Sequence, residues 1–207
     1  MYKNLGQMPL RISSIEQRLA QYEPEPPLLP QGTRQAAVAA VLREADGHTE
    51  ALFILRARKE GDPWSGHMAF PGGHREDQDA NLRETAERET PEEIGLDLKS
   101  HGRYLGFIDP VNANPRGRDI RMQVTPFFYL LESEPEMTPN YEVADILWGS
   151  LNLMHSGHSL TESEFHVAGQ KQVFKGYEVG SEVVWGLTMR MLSEFFLILD
   201  PDWRSHY

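Results

Sequence analysis

Cysteine is absent from all 207 residues. Its absence removes disulfide scaffolds, thiolate zinc sites, cysteine nucleophiles and thiol redox chemistry together, and any metal must sit on oxygen or imidazole. Long apolar runs are missing as well. No stretch approaches the roughly 20 apolar residues that span a bilayer, and the start, Met1-Tyr2-Lys3-Asn4-Leu5-Gly6, has no apolar core of the kind a signal peptide needs. A cytoplasmic protein with no membrane partner is the expectation. Basic residues are in deficit: 20 Lys and Arg stand against 31 Asp and Glu, giving a formal charge of -11 and a pI near 5.2. That balance argues against a nucleic-acid partner, whose backbone calls for cations.

Apolar residues are not scarce. At 40% of the chain they supply the core that a disordered protein lacks, and the length suits one domain of ordinary size. The organisation read from the chain is an N-terminal helix and proline-rich arm over 1–33, followed by a single domain over 34–207. Ser13 to Tyr22 reads as a short amphipathic helix with Ile15 and Leu19 four apart, after which Pro24, Pro26, Pro27 and Pro30 force extended chain. The apolar runs Ala36 to Leu42 and Ala51 to Leu55 flank the polar turn Glu44-Ala45-Asp46-Gly47 and predict a hairpin. Further strands are expected over Tyr104 to Ile108, Val124 to Leu131 and Ile146 to Ser150, and as a pair around Phe165 to Val167 and Val173 to Tyr177. Trp185 to Leu199 reads as a helix. The expected fold class is α+β, an α/β/α sandwich on a mixed sheet, with the acidic segment Asn81 to Glu93 as one packed helix.

Much of the negative charge lies in that segment. Between Arg75 and Glu93 eight acids (Glu76, Asp77, Asp79, Glu84, Glu87, Glu89, Glu92, Glu93) face three bases. On a helix Glu89, Glu92 and Glu93 stand at i, i+3 and i+4, on one face within about a turn. Crowding like charges to about 4 Å costs on the order of 1 kcal/mol in water and about 4 at an effective dielectric of 20, so solubility alone gains nothing from it. A divalent cation reverses the sign. Mg²⁺ is hard, prefers octahedral oxygen and leaves positions open for substrate phosphates. Upstream, Phe70-Pro71-Gly72-Gly73 permits a tight turn that brings a main-chain carbonyl close, and Arg88 can orient a carboxylate through its forked donors.

At these residues the sequence resembles the Nudix hydrolases. Gly73 followed by Arg88-Glu89-Thr90-Pro91-Glu92-Glu93-Ile94-Gly95-Leu96 is similar to the family's signature box: Gly, five residues, Glu, seven residues, then Arg-Glu-aliphatic-any-Glu-Glu-any-Gly-aliphatic. The resemblance implies a loop-helix-loop that binds Mg²⁺ or Mn²⁺ and hydrolyses a diphosphate linked to another moiety. It implies Glu89, Glu92 and Glu93 as metal ligands, the Gly72 carbonyl as a further ligand, and Arg88 as the orienting residue. Three departures stand out. Asp79 takes the place of the first-half Glu with eight residues before Arg88, Thr90 replaces the aliphatic residue, and Pro91 lies inside the helix, where it removes an amide donor and presses on the Glu87 carbonyl.

Gly66, Met68 to Gly73, Thr125-Pro126, Asn140-Tyr141-Glu142-Val143 and Trp185-Gly186-Leu187-Thr188 are similar to the coenzyme A pyrophosphatase branch, which shares the extra box residue. The branch's upstream motif is partly present: Ile54 and Leu55 fit, while Arg56, Arg58 and Asp62 replace its Thr, Thr/Ser and Arg. Arg56, Arg58 and Lys59 supply cations for phosphates, and Asp62-Pro63-Trp64 offers an indole for stacking on a base, ordinary packing being the alternative for Trp64. The implied substrate is a nucleoside diphosphate derivative, coenzyme A first and ADP-ribose or a nucleotide sugar second. Glu142 is the expected general base, since related enzymes often place an acid from this loop opposite the box; Glu89 and Glu92 are the alternatives. Its loop, Glu132 to Asn140, reads as a polar surface segment able to close over substrate.

Other classes fit less well. A non-catalytic Nudix-like binding module is expected to lose box acids, and the isoprenoid isomerase chemistry calls on a cysteine. Asp77-Gln78-Asp79 is too short for a calcium loop, and His155-Ser156-Gly157-His158 reads as loop rather than zinc site. The oligomeric state stays open, a homodimer included.

Overall fold

The computed structural model describes residues 10–25, 29–61, 64–113, 121–167 and 170–205, the side chains of 166 and 167 excepted. Met1 to Gly6, Pro26, Pro27, Asp62 and Pro63 lie outside the described residues. In chain order the elements are α1 (Ile12–Gln21), β1 (Arg34–Ala45), β2 (His48–Arg56), β3 (Met68–Ala69), β4 (Gly72–His74), α2 (Leu82–Ile94), α3 (Leu98–His101), β5 (Gly102–Phe107), β6 (Val111–Asn112), β7 (Met122–Leu131), β8 (Val143–Ser150), α4 (Leu151–His155), β9 (Leu160–Val167), β10 (Gln170–Val179), β11 (Glu182–Trp185) and α5 (Gly186–Leu199).

The expected hairpin forms from β1 and β2, which pair antiparallel from Leu42↔Ala51 to Ala45↔His48 around Asp46 and Gly47, both at positive φ. β1 also pairs in parallel with β7, from Arg34↔Met122 to Leu42↔Leu130, so the sheet is mixed. Its strand order is β3-β2-β1-β7-β5, with β4 on β1, β6 on β7 and β8 on β2. Alternation along β1 assigns the two faces. Ala36, Val38, Ala40 and Leu42 belong to one core cluster, and Ala37, Ala39 and Val41 to the other.

The second cluster is covered by α2 through Ala86 and Ile94, which pack with Leu52, Ile54, Phe127 and Tyr129. The first is covered by α5 through Met189, Leu192, Phe195 and Phe196, and by Ile12, Ile15 and Leu19 of α1. The result is the α/β/α sandwich on a mixed sheet. The arm helix is part of this core, because its three apolar residues fall on one face.

The last third of the chain departs from expectation in detail. β9 and β10 pair as foreseen but join β11 in a separate three-stranded sheet, ordered β11-β10-β9. The last helix begins at Gly186 rather than Trp185, which is extended and ends β11; Gly186 (φ 60) makes the turn. Among the described residues no helix is long and apolar enough to cross a membrane.

Candidate active site

The acidic helix forms because both ends are capped. The Asn81 side chain accepts from the Glu84 amide (3.1 Å), and Gly95, left-handed at φ 73, closes the C-terminus. Thr90 is buried where the resembling box has an aliphatic residue, and its hydroxyl donates to the Ala86 carbonyl (2.7 Å), so no polar atom is left unmet. Pro91 does not break the helix, which runs on to Ile94. It costs the helix the one amide that would donate to the Glu87 carbonyl, and its own carbonyl still accepts from the Gly95 amide (3.0 Å) to close the end.

Arg88 is the hub. Its Nε and Nη2 donate to the two carboxylate oxygens of Asp79 (3.0 and 3.1 Å), Nη2 also to the His74 carbonyl (3.1 Å), and Nη1 to Glu89 (3.0 Å) and Glu92 (3.4 Å). Buried Asp79 accepts in addition from the Glu76 amide and the Thr85 hydroxyl, both 2.9 Å. The turn Glu76 to Asp79 is closed by the Asp79 amide on the Glu76 carbonyl (3.0 Å). The Arg88 guanidinium holds the Asp79 carboxyl well below the usual range, against a burial effect of opposite sign. A depressed carboxylate contributes stability that is present above its unfolded pKa and lost as pH falls through its folded one. Asp79→Asn is therefore expected to destabilise the protein by on the order of 3 kcal/mol at pH 7. Below pH 4 wild type should lose that advantage and the two unfolding curves converge. A constant gap from pH 7 down to pH 2 would refute the assignment.

Glu93 is buried, 3% exposed, and accepts from the Gly72 amide at 2.8 Å. Burial pushes its carboxyl up to about 7, and the Gly72 amide and Arg56 offset only part of that. Gly72 is required by its backbone, and Gly73 leaves room for the Glu89 carboxylate. A Cβ on Gly72 (φ 147) would lie 2.2 Å from the Ala37 carbonyl oxygen, and one on Gly73 2.4 Å from Glu89 Oε1. The structure brings Glu89 and Glu93 to the two glycines, while Glu92 points toward solvent and Arg88. Among the described residues no three acidic or histidine side chains close on one point. Arg88 binds Glu89 and Glu92, and Glu93 accepts from the Gly72 amide instead. A hard divalent cation fits this donor set. The oxygens are carboxylate or main-chain, and the buried Glu93 charge has only partial compensation.

Glu142 stands on a segment pinned to the end of α2. The Thr138 amide donates to the Ile94 carbonyl (2.9 Å), the Asn140 amide to Glu93 (2.8 Å) and Asn140 Nδ2 to the Glu92 carbonyl (2.9 Å), while Asn140 Oδ1 accepts from the Glu142 amide (2.7 Å). On the other side, the Ala57 amide donates to the Glu142 carbonyl (2.7 Å). The expected closing loop is thus a braced strut. Its hydrogen bonds occupy helix-end carbonyls that otherwise face water. Glu142 is exposed and close enough for its charge to raise the Glu93 pKa.

Beside the glycine turn opens a cavity of about 170 Å³. Its lining includes Arg56, Trp64, Gly72, Gly73 and His74 together with Met68, Met122, Trp185 and Met191. Arg56 and Trp64, expected from the sequence to meet substrate, are both in this lining. Arg58 is absent from this lining and packs against Gly66, 3.7 Å from the position of a Cβ there. Burial, then Arg34 and Arg56, lowers the His74 pKa and so favours the neutral imidazole. A larger hollow of about 440 Å³ between α1 and α5 has no box residue in its lining. Trp185 and the Asn140 brace escaped the residue-level reading, which had quoted both only as points of resemblance.

The NUDIX domain family model matches residues 33–167. An uncharacterized protein of Schizosaccharomyces pombe is 37% identical over 107 residues, 46% of this chain, and the chain spans about a third (32%) of that protein. The mitochondrial coenzyme A diphosphatase NUDT8 of Mus musculus is 27% identical over 170 residues, covering 80% of this chain and 78% of that one. The structure of a MutT protein from Methanosarcina mazei Go1 superposes with a TM-score of 0.53 at 18% identity, covering 84% of this chain and 98% of that chain.

Proposed function

The chain belongs to the Nudix family, and from that premise we propose that it is a divalent-metal-dependent pyrophosphohydrolase whose substrate is coenzyme A or a derivative, cleaved to phosphopantetheine and 3′,5′-ADP. The observation that carries the proposal is the juxtaposition of Glu89 and Glu93 with the Gly72-Gly73 turn at the end of a cavity lined by Arg56 and Trp64. Similarity to the mouse coenzyme A diphosphatase over most of that protein's length supports the choice of substrate.

Each residue has a part in this reading. Glu89, Glu92, Glu93 and the Gly72 carbonyl hold Mg²⁺ or Mn²⁺, and Arg88 fixes Glu89 and Glu92. When bound, the cation supplies Lewis acidity at the diphosphate oxygens. Arg56 meets phosphate charge, Trp64 flanks the bound nucleotide, and Arg58 contributes to the local positive field rather than to direct contact. Glu142 takes a proton from the attacking water; one bridging P–O bond breaks, and each product keeps one of the two phosphates of the diphosphate, 3′,5′-ADP retaining its 3′-phosphate as well. The second reading, ADP-ribose or a nucleotide sugar, is favoured by the arginines that replace the branch's hydroxyl residues at 56 and 58.

Mass analysis of products from a substrate panel in Mg²⁺ tests the proposal. Coenzyme A is expected to yield equimolar phosphopantetheine and 3′,5′-ADP. Intact coenzyme A alongside AMP and ribose 5-phosphate from ADP-ribose would transfer the assignment to the second reading.

A further inference from the structure

Three strands bring basic side chains to the rim of the cavity. Ala36 and Val38 of β1 line it, and Arg34, two residues before Ala36, stands on the same face of the strand. Its partner in the parallel pairing with β7 is Met122, also in the lining. His74 lies directly opposite Ala36 in the antiparallel pair of β1 and β4, where facing residues share one side of the sheet, and it too lines the cavity. Arg56, at the end of β2, completes the group. Arg34 and His74 are exposed, so a ligand reaches them without displacing any part of the fold.

The field at this rim has one sign. The charges that act on the His74 imidazole are the Arg34 and Arg56 guanidiniums, and Arg56 acts on Glu93 as well, so the positive ground begins beside the box and runs outward. Among the described residues no carboxylate pairs with Arg34. In a chain of formal charge -11, cations gathered without carboxylates call for an anion from outside.

The substrate narrows which anion that is. In the coenzyme A reading the scissile diphosphate goes to the cation held by the box, and one phosphate is left over, the one on the ribose 3′-oxygen. His74 stands two residues beyond Gly72 on β4, about 7 Å at the usual rise of a strand, a span that one ribose bridges. A phosphate monoester is nearly a dianion at pH 7, and the forked donors of a guanidinium match its oxygens.

We propose that Arg34 and His74 form a second phosphate subsite, outside the metal box, that takes the 3′-phosphate of the nucleotide. The proposal rests on the coenzyme A reading and deepens it: Arg56 and the cation meet the diphosphate, while Arg34 and His74 select nucleotides that carry the extra phosphate. A ribose with a free 3′-hydroxyl leaves the pair without its anion and is discriminated against.

Calorimetric titration of the full chain in Mg²⁺ with 3′,5′-ADP, 2′,5′-ADP and 5′-AMP tests it. Wild type is expected to bind 3′,5′-ADP about tenfold or more tightly than 5′-AMP, the ratio that goes with one charge-assisted hydrogen bond. Arg34→Gln should remove most of that preference, His74→Ala should reduce it, and Arg34→Lys, which keeps the charge, should restore part of it. Thermal unfolding serves as the control for fold. Equal affinity of wild type for 3′,5′-ADP and 5′-AMP, tighter binding of 2′,5′-ADP than of 3′,5′-ADP, or an undiminished preference in both Arg34→Gln and His74→Ala would each overturn the proposal. Failure of the coenzyme A reading looks different: coenzyme A stays intact in Mg²⁺ while 3′,5′-ADP still outcompetes 5′-AMP.

Discussion

Replacing Glu93 by glutamine is expected to lower turnover by about 1,000-fold or more while leaving the fold intact. Glutamine has nearly the same shape, and its carbonyl oxygen can still accept from the Gly72 amide at the place where Glu93 now does. What disappears is the anionic oxygen that a hard cation needs, and with it the charge stabilisation supplied to the diphosphate. The loss should fall on kcat at saturating substrate and Mg²⁺, with thermal unfolding and circular dichroism as controls. Glu92→Gln is expected to act in the same direction. Its exposed side chain pairs with Arg88 at the surface, so fold stability should change little. Wild-type turnover by either variant, or undiminished wild-type activity in excess chelator, would sink the metal assignment.

Glu142→Gln is expected to reduce kcat by about 100-fold or more, within the usual range for loss of a general base, with little change in substrate affinity. In the proposed reading Glu142 is suited to the part because the box carboxylates would be committed to the cation, which would lower their basicity, whereas Glu142 is exposed and held near Glu93. The Asn140 bridge sets its position relative to the end of α2 without a loop having to close. A pH–rate profile should lose its acidic limb in the variant. Near-normal turnover at saturating substrate would move the base to Glu89, which burial holds above the usual carboxylate range despite Arg88.

The parts of this molecule that repeat over several residues were legible in the chain. The β1–β2 hairpin showed through its apolar runs and intervening turn, and α2 through its carboxylate spacing. Strands of two or three residues were not. Met68–Ala69, Gly72–His74 and Val111–Asn112 are too short to show a period, and one of them consists largely of the glycines that read as a turn. At the site, spacing identified Glu89 and Glu93 but not the competition of Asp79, Glu89 and Glu92 for one guanidinium, which depends on three-dimensional placement. Long-range contacts were equally hidden: Thr188 meets Met68 across 120 positions, and no local pattern joins them. The closing loop was misread because polarity and proline mark a surface segment without saying where its amides go.

The parallel pairing of β1 with β7 has a consequence for how the site comes into being. The hairpin and α2 are local and can form quickly, but the parallel pair must close a loop that contains β2, the glycine turn, the whole of α2 and β5. Such closures carry a large entropic cost and come late in folding. During synthesis a nascent chain that has emerged only as far as Arg121 holds every box residue, with β2 and β4 available to β1, yet β7 and the strut from Thr138 to Glu142 do not yet exist. The turn and helix that carry the carboxylates can therefore form before the segment that braces Glu142, and the two sides of the site come together only with the second half of the sheet.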